Sequence, residues 1–271
     1  MKGRVAIIGM GWLGTAFANA CQQQGIRVCG TGRSIPSVRG LPNGISRYAY
    51  SLGTPLPVPI CRTDEPYTAV IAISPNKAAL PPLQFERGLR MLAGNLVDTP
   101  VERIVYVSAT SVYPDHLEDA KETDAADIPS PRSGISMLRA ENAIREGAGS
   151  VPVITVRFGG LFGPGREPGR FFVRRPLKFP DDPVNLIHLD DCIGVLTLAM
   201  GLNQTQVINA VAPYHPERGV FYTAAALAIG EQPPMSLGPA RSDAPKRINS
   251  DRLIKDLGYE FIHPNPLSLY F

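Results

Sequence analysis

One segment constrains this chain more than any other: Arg4-Val5-Ala6-Ile7-Ile8-Gly9-Met10-Gly11-Trp12-Leu13-Gly14, an apolar strand that runs into G-x-G-x-x-G and then into a helix-compatible stretch ending at Gly25. Each glycine has a distinct physical task. Gly9 permits a tight turn, Gly11 lets a ligand approach bare backbone, and Gly14 lets the helix close on the strand. The first turn of the helix then offers N–H groups that have no intrahelical acceptor and suit a phosphate. A strand before the glycines and a helix after them mark a dinucleotide-binding turn, with the backbone at Trp12 and Leu13 facing the pyrophosphate.

Further along, β-rich apolar runs at 69–73, 103–108 and 153–158 alternate with helically spaced segments at 83–97 and 135–144. Strands that alternate with helices predict an α/β fold, a Rossmann doubly wound parallel sheet with ligands at the carboxyl ends of its strands. Those ends carry Ser74, Ser108 and Phe158, which join the glycines as expected cofactor-lining residues. Beyond Gly159 the texture changes to Gly- and Pro-rich loops, with helices expected at 191–201, 223–229 and 251–257 and a strand at 206–210. The reading is a dinucleotide-binding domain over 1–158 and a small C-terminal substrate-binding lobe over 159–271, with helix 191–201 returning to the core.

The charge distribution bears on the cofactor. Residues 1–63 hold no Asp or Glu but seven cations (Lys2, Arg4, Arg27, Arg33, Arg39, Arg47 and Arg62), in a chain whose net charge is only +3. An NAD-binding unit normally sets a carboxylate about 20 residues past the glycines to hold the ribose diol, whereas a 2′-phosphate calls for cationic and hydroxyl donors. Here the second strand, expected over 26–32, ends in Thr31-Gly32-Arg33-Ser34. Arg33 and Ser34 therefore favour NADP over NAD.

The remaining composition mostly excludes. A chain of 271 residues, 44% hydrophobic and 19% charged, can bury a full core. No apolar run reaches the ~20 residues of a membrane span, and Lys2 and Arg4 precede a first strand rather than a signal peptide, since the apolar stretch is short and ends in the glycine turn. Cys21, Cys29, Cys61 and Cys192 show neither C-x-x-C spacing nor clustered histidines, so no disulfide framework and no metal site is expected, and a reducing cytoplasm fits. The charge is too modest for a nucleic-acid partner.

Four segments in order resemble the extended short-chain dehydrogenase/reductase superfamily, the NAD-dependent epimerase/dehydratase family. They are the glycine start, Val107-Ser108-Ala109-Thr110-Ser111-Val112-Tyr113, Val156-Arg157-Phe158-Gly159-Gly160-Leu161-Phe162-Gly163-Pro164-Gly165, and Asn185-Leu186-Ile187-His188-Leu189-Asp190-Asp191. Pro168-Gly169-Arg170-Phe171-Phe172 and the acid-free second strand are similar to an atypical, YeeZ-like subgroup. Catalysis in the resembled family rests on a Ser/Thr, a Tyr and a Lys one helical turn after the Tyr, the tyrosinate accepting the proton. This chain departs at all three. Alignment puts Ala109, Ser133 and Met137 at those positions, and none of its nine tyrosines has a lysine four residues on.

Two functions stand side by side after that loss. One is an oxidoreductase or isomerase acting on a small or nucleotide-linked anionic substrate with substitute groups, Ser108, Thr110, Ser111 or Ser133 as hydrogen-bond donors and Tyr113 as a proton donor. The other is a catalytically silent NADP-binding sensor or regulatory protein. Arg166, Arg170, Arg174, Arg175 and Lys178 offer cations to a phosphorylated small-molecule substrate or else form a solvated basic surface. His188 is expected to be structural, Asp190 to cap the helix that follows, and Asp190 and Asp191 to diverge as sequence neighbours. By analogy with related folds, helices 83–97 and 135–144 would support a homodimer.

Overall fold

A computed structural model describes residues 3–33, 45–57, 60, 64–75, 80–125, 132–173, 175–235 and 244–270, with backbone alone at 132 and 133. In chain order the elements are β1 (Arg4–Ile8), α1 (Trp12–Gln23), β2 (Arg27–Gly32), β3 (Ser46–Ala49), β4 (Tyr67–Ile71), α2 (Pro82–Val97) and β5 (Val101–Ala109). Then follow α3 (Arg132–Gly147), β6 (Val153–Phe158), β7 (Gly160–Phe162), β8 (Leu186–His188), α4 (Leu189–Ala199), β9 (Gln206–Ala210) and α5 (Arg218–Ala228).

Seven strands form a parallel sheet in the order β3-β2-β1-β4-β5-β6-β9, as the alternating pattern requires. Strand β1 lies between β2 and β4, and Val5, Ala6, Ile7 and Ile8 are each at most 1% exposed, which is why this run is apolar without alternation. The chain winds outward from β1 to β3 and then returns to the other side of β1 with β4, which makes the carboxyl end of β1 a topological switch point. Helix α1 buries Leu13, Gly14, Phe17, Ala18 and Cys21, a single stripe at helical spacing. Past its end, Gly25 turns the chain at φ +74°, a conformation that favours glycine.

Contacts divide the chain into two compact units that interleave along the sequence. The first comprises 1–108, 135–156 and 196–207, the second 109–134, 157–195 and 208–271. The sequence pattern predicts a single boundary, after Phe158. The chain enters the second unit at the carboxyl ends of both β5 and β6, and the earlier excursion is too short to show as a change of texture.

Within the second unit β7 and β8 pair in parallel, and Phe162, Val184, Leu186 and Phe221 make a core flanked by Tyr222, Leu267 and Tyr270. Gly169 sits so close to the Ala225 carbonyl that a Cβ would collide with it, and Phe172 meets the Tyr222 ring edge-on at 4.6 Å. Packing onto α5 thus accounts for Gly169, Phe171 and Phe172. Helix α5 begins at Arg218 rather than near 223, and β3, a four-residue strand of half-buried pattern, is too short to give a periodic signal. Among the described residues no helix is long and apolar enough to cross a membrane. Cys21, Cys29 and Cys192 are buried free thiols, and Cys61 lies outside the described residues.

Candidate functional site

The first unit gathers the glycine turn at the carboxyl edge of its strands. The Met10 N–H donates to the Thr31 carbonyl at 2.7 Å and the Ala72 N–H to the Ile8 carbonyl at 2.9 Å, so the turn is stitched to the ends of β2 and β4 together. Two of the three glycines are required by the protein itself. Gly9 has φ +112°, and a Cβ there would stand 2.6 Å from the Ala72 oxygen; a Cβ at Gly14 would collide with the Gly9 oxygen. Gly11 is different. Its φ is −85°, it is exposed, and a Cβ would meet nothing within 4 Å. The protein's own packing therefore does not need glycine at this position, whereas a ligand resting on bare backbone does.

Gly11 is also the N-cap of α1, with no side-chain cap and no acidic residue in the first turn, so the positive end of the helix is uncompensated by side chains. Leu13 buries its side chain in the core while its N–H belongs to that first turn, and Trp12 is partly buried. A diphosphate fits this cradle by geometry and charge.

Beside the turn, Arg33 follows β2 directly and is exposed; Ser34 lies outside the described residues. A second cation stands at the same strand end. Arg47 on β3 lays its guanidinium against Gly32, close enough that a Cβ at Gly32 would collide with Nη2, and partial burial lowers its pKa. Arg33 and Arg47 therefore both belong to the carboxyl end of β2. On the far side of β1, Ser74 is exposed just beyond β4.

Ser108 stands near the end of β5. It is 3% exposed, and its hydroxyl donates to the Glu141 carboxylate of α3 at 2.5 Å, so the donor expected to serve cofactor or substrate is already committed. The Tyr106 hydroxyl is buried nearby with its pKa pushed far up, first by burial and then by the Glu141 charge. Met137, at the position of the resembled family's lysine, is buried as well.

The Tyr113 hydroxyl is engaged in a similar way. In the second unit it is fully buried, donates to Asn209 Oδ1 at 2.6 Å and accepts from Arg157 Nη1 at 2.8 Å. Burial pushes its pKa up to about 12, against the opposing pull of Arg157. A phenol enclosed on every side and spending its one proton on Asn209 acts as a tie within this unit. Arg157 also donates to the Glu122 carbonyl, and the Asn209 N–H donates to the Glu122 carboxylate, which closes the network.

The remaining expected residues also lie in the second unit. Phe158 is 2% exposed, at the end of β6. Gly159 is held against Asn185, whose carbonyl accepts the Gly160 N–H at 2.7 Å. Arg166, Arg170, Arg175 and Lys178 are exposed, and Arg174 lies outside the described residues. Asp190 and Asp191 diverge as expected, but Asp190 falls within the first turn of α4 and bonds His188 and His263 instead of capping the helix. Asp191 turns inward and accepts from the Tyr259 hydroxyl and from the N–H groups of Ile262 and His263.

No protein-family profile matches the chain. Protein YeeZ of Escherichia coli K12 is 32% identical over 97% of both chains. The fold matches a functionally unknown conserved protein from Silicibacter pomeroyi with a TM-score of 0.76 at 22% identity, covering 98% of this chain and 96% of that one. It also matches the Bordetella bronchiseptica enzyme WbmG in complex with NAD with a TM-score of 0.76 at 17% identity, covering 99% and 92%. Identity of 32% with YeeZ across 97% of both chains places this chain in the YeeZ family, and its parallel sheet shares the fold of the NAD-bound WbmG structure.

Proposed function

We propose that the protein binds NADP in preference to NAD and does so without the proton-transfer chemistry of the resembled family, as a dinucleotide sensor or regulatory protein. The observation that carries the reading is Gly11, a glycine that the fold does not need and that a diphosphate does. When bound, the dinucleotide supplies hydride transfer at its nicotinamide ring. In this chain the α1 N-terminus holds the diphosphate, and Arg33 with Arg47 takes the 2′-phosphate at the end of an acid-free second strand. The resembled family's three catalytic groups have no replacement in Ser108 or Tyr113, whose hydroxyl protons go to Glu141 and Asn209.

Titrating purified protein with NADPH and NADH, and following reduced cofactor over a panel of carbonyl compounds and nucleotide sugars, tests this. The expected result is saturable NADPH binding, weakened about tenfold or more in Arg33→Ala and Arg47→Ala, with no turnover. Charge-assisted hydrogen bonds of this kind are worth roughly 1.5–3 kcal/mol each. Equal affinity for both cofactors, unchanged in the variants, overturns the NADP assignment. Turnover of any panel member restores the enzymatic reading, in which the half-exposed Ser111 just past β5 is the hydroxyl to examine and Arg166, Arg170, Arg175 and Lys178 hold an anionic substrate. Exposed Leu83, Met91 and Val97 on α2 and Ile135 on α3 support a homodimer, which sedimentation checks. Buried free thiols support a reducing, cytoplasmic setting.

A further inference from the structure

We propose that His188, Asp190 and His263 form a binding site for one divalent transition-metal ion of the zinc class. The three side chains meet where β8 passes into α4, and one donor atom from each lies within 4.8 Å of the other two. The Asp190 Oδ2 is the hub, 3.2 Å from His188 Nδ1 and 3.0 Å from His263 Nε2. Donors arranged around an ion at 2.0–2.2 Å stand roughly 3.0–3.5 Å apart, so the cluster needs little movement to accept one. Two imidazoles and a carboxylate select zinc, nickel or cobalt over magnesium or calcium, which prefer oxygen alone.

The site is organised before any ion arrives. His188 is clamped edge-on by Phe162 at 5.2 Å and by the His263 ring at 4.2 Å. The fully buried Asp191 pins the His263 segment through three hydrogen bonds of 2.7–3.0 Å, from Tyr259, Ile262 and His263. Such outer supports fix the orientation of metal ligands. The Asp190 side chain is 51% exposed against 12% for His188 and 20% for His263, which leaves an open side for water as a fourth ligand. An ion would replace the contacts of Asp190 Oδ2 with the two imidazoles by metal bonds, and would displace the weak bond from the Asp190 N–H to His188 Nδ1 at 3.3 Å. A bound ion would clip the 259–263 segment to the start of α4.

Metal content is the readout, so the outcome does not depend on dinucleotide binding. Full-length protein is dialysed against zinc chloride, its zinc measured by mass spectrometry and its affinity by chelator competition. His263→Gln and Asp190→Asn are compared with His116→Gln, a histidine outside the cluster, and the fold of each is checked by circular dichroism. The expected result is one zinc per chain in wild type and His116→Gln, raising the melting temperature, with affinity at least about tenfold lower in the two cluster variants. Absence of stoichiometric zinc in the wild type, or zinc binding that survives both cluster substitutions, overturns the proposal.

Discussion

Alanine at Gly9 and at Gly11 should have opposite consequences, because the two glycines are present for different reasons. At Gly9 the backbone has φ +112° and the new Cβ would stand 2.6 Å from the Ala72 carbonyl, which is held by its place beside β1. Backbone strain and overpacking each cost about 1–3 kcal/mol, so Gly9→Ala should lose roughly 3 kcal/mol of stability. For a chain of this size that lowers the melting temperature by about 6–12 °C. At Gly11 the backbone already suits alanine and no neighbouring atom lies within 4 Å of the new Cβ, so the gain of about 0.4–1 kcal/mol through the unfolded chain is offset by the weaker N-cap that alanine makes, and stability should stay within about 1 kcal/mol of wild type. The new methyl would instead occupy the space where the diphosphate meets the backbone. An overpacking penalty of about 1–3 kcal/mol corresponds to NADPH affinity roughly 5- to 150-fold weaker. Thermal melts and fluorescence titration of NADPH, run on both variants, read the two effects separately. Wild-type NADPH affinity in Gly11→Ala would refute the reasoning, as would a loss of stability there comparable to that of Gly9→Ala.

Three further outcomes follow from the buried polar groups. Tyr113→Phe should cost about 1–3 kcal/mol in denaturant unfolding, by stranding Asn209 and Arg157, while NADPH affinity stays at the wild-type value; weakened binding at unchanged stability would return Tyr113 to the ligand site. Ser108→Ala removes the 2.5 Å donor from the buried Glu141 and should cost about 1.5–3 kcal/mol, measured the same way. His215 donates from Nδ1 to the Val184 carbonyl, and burial, seconded by Arg247, holds its pKa below the ordinary 6.5. Its contribution to stability is therefore complete above about pH 6.5 and declines as pH falls below that value toward the lowered pKa, because the unfolded chain takes up the proton first. Unfolding free energy between pH 7 and 5 should fall less steeply in His215→Asn than in wild type.

Features set by neighbours in sequence were legible from the outset. The strand–turn–helix at 4–23 depends on glycine sterics and a stripe of apolar residues a few positions apart, and β6 and β9 appear at the predicted 153–158 and 206–210. The absence of the resembled family's tyrosine and lysine was equally plain, since one helical turn is a local spacing. Arg47 gave only a weak signal, one cation among seven in an acid-free stretch, because its place against Gly32 depends on the pairing of β2 with β3. Ser108 and Tyr113 looked like reactive groups at a strand end. Their partners Glu141, Asn209 and Arg157 lie 33–96 residues away, and nothing local reveals that the hydroxyl protons are already spent.

Linear order, then, determined which segments could be strands, which turn could face a phosphate and which catalytic groups are missing, because backbone sterics and side-chain periodicity act over a few residues. Tertiary structure decided which polar atoms are occupied and which converge. His188 and His263, 75 positions apart, meet over Asp190 only because Asp191 ties the 259–263 segment to the start of α4, a contact set by packing across the fold and written in no local pattern.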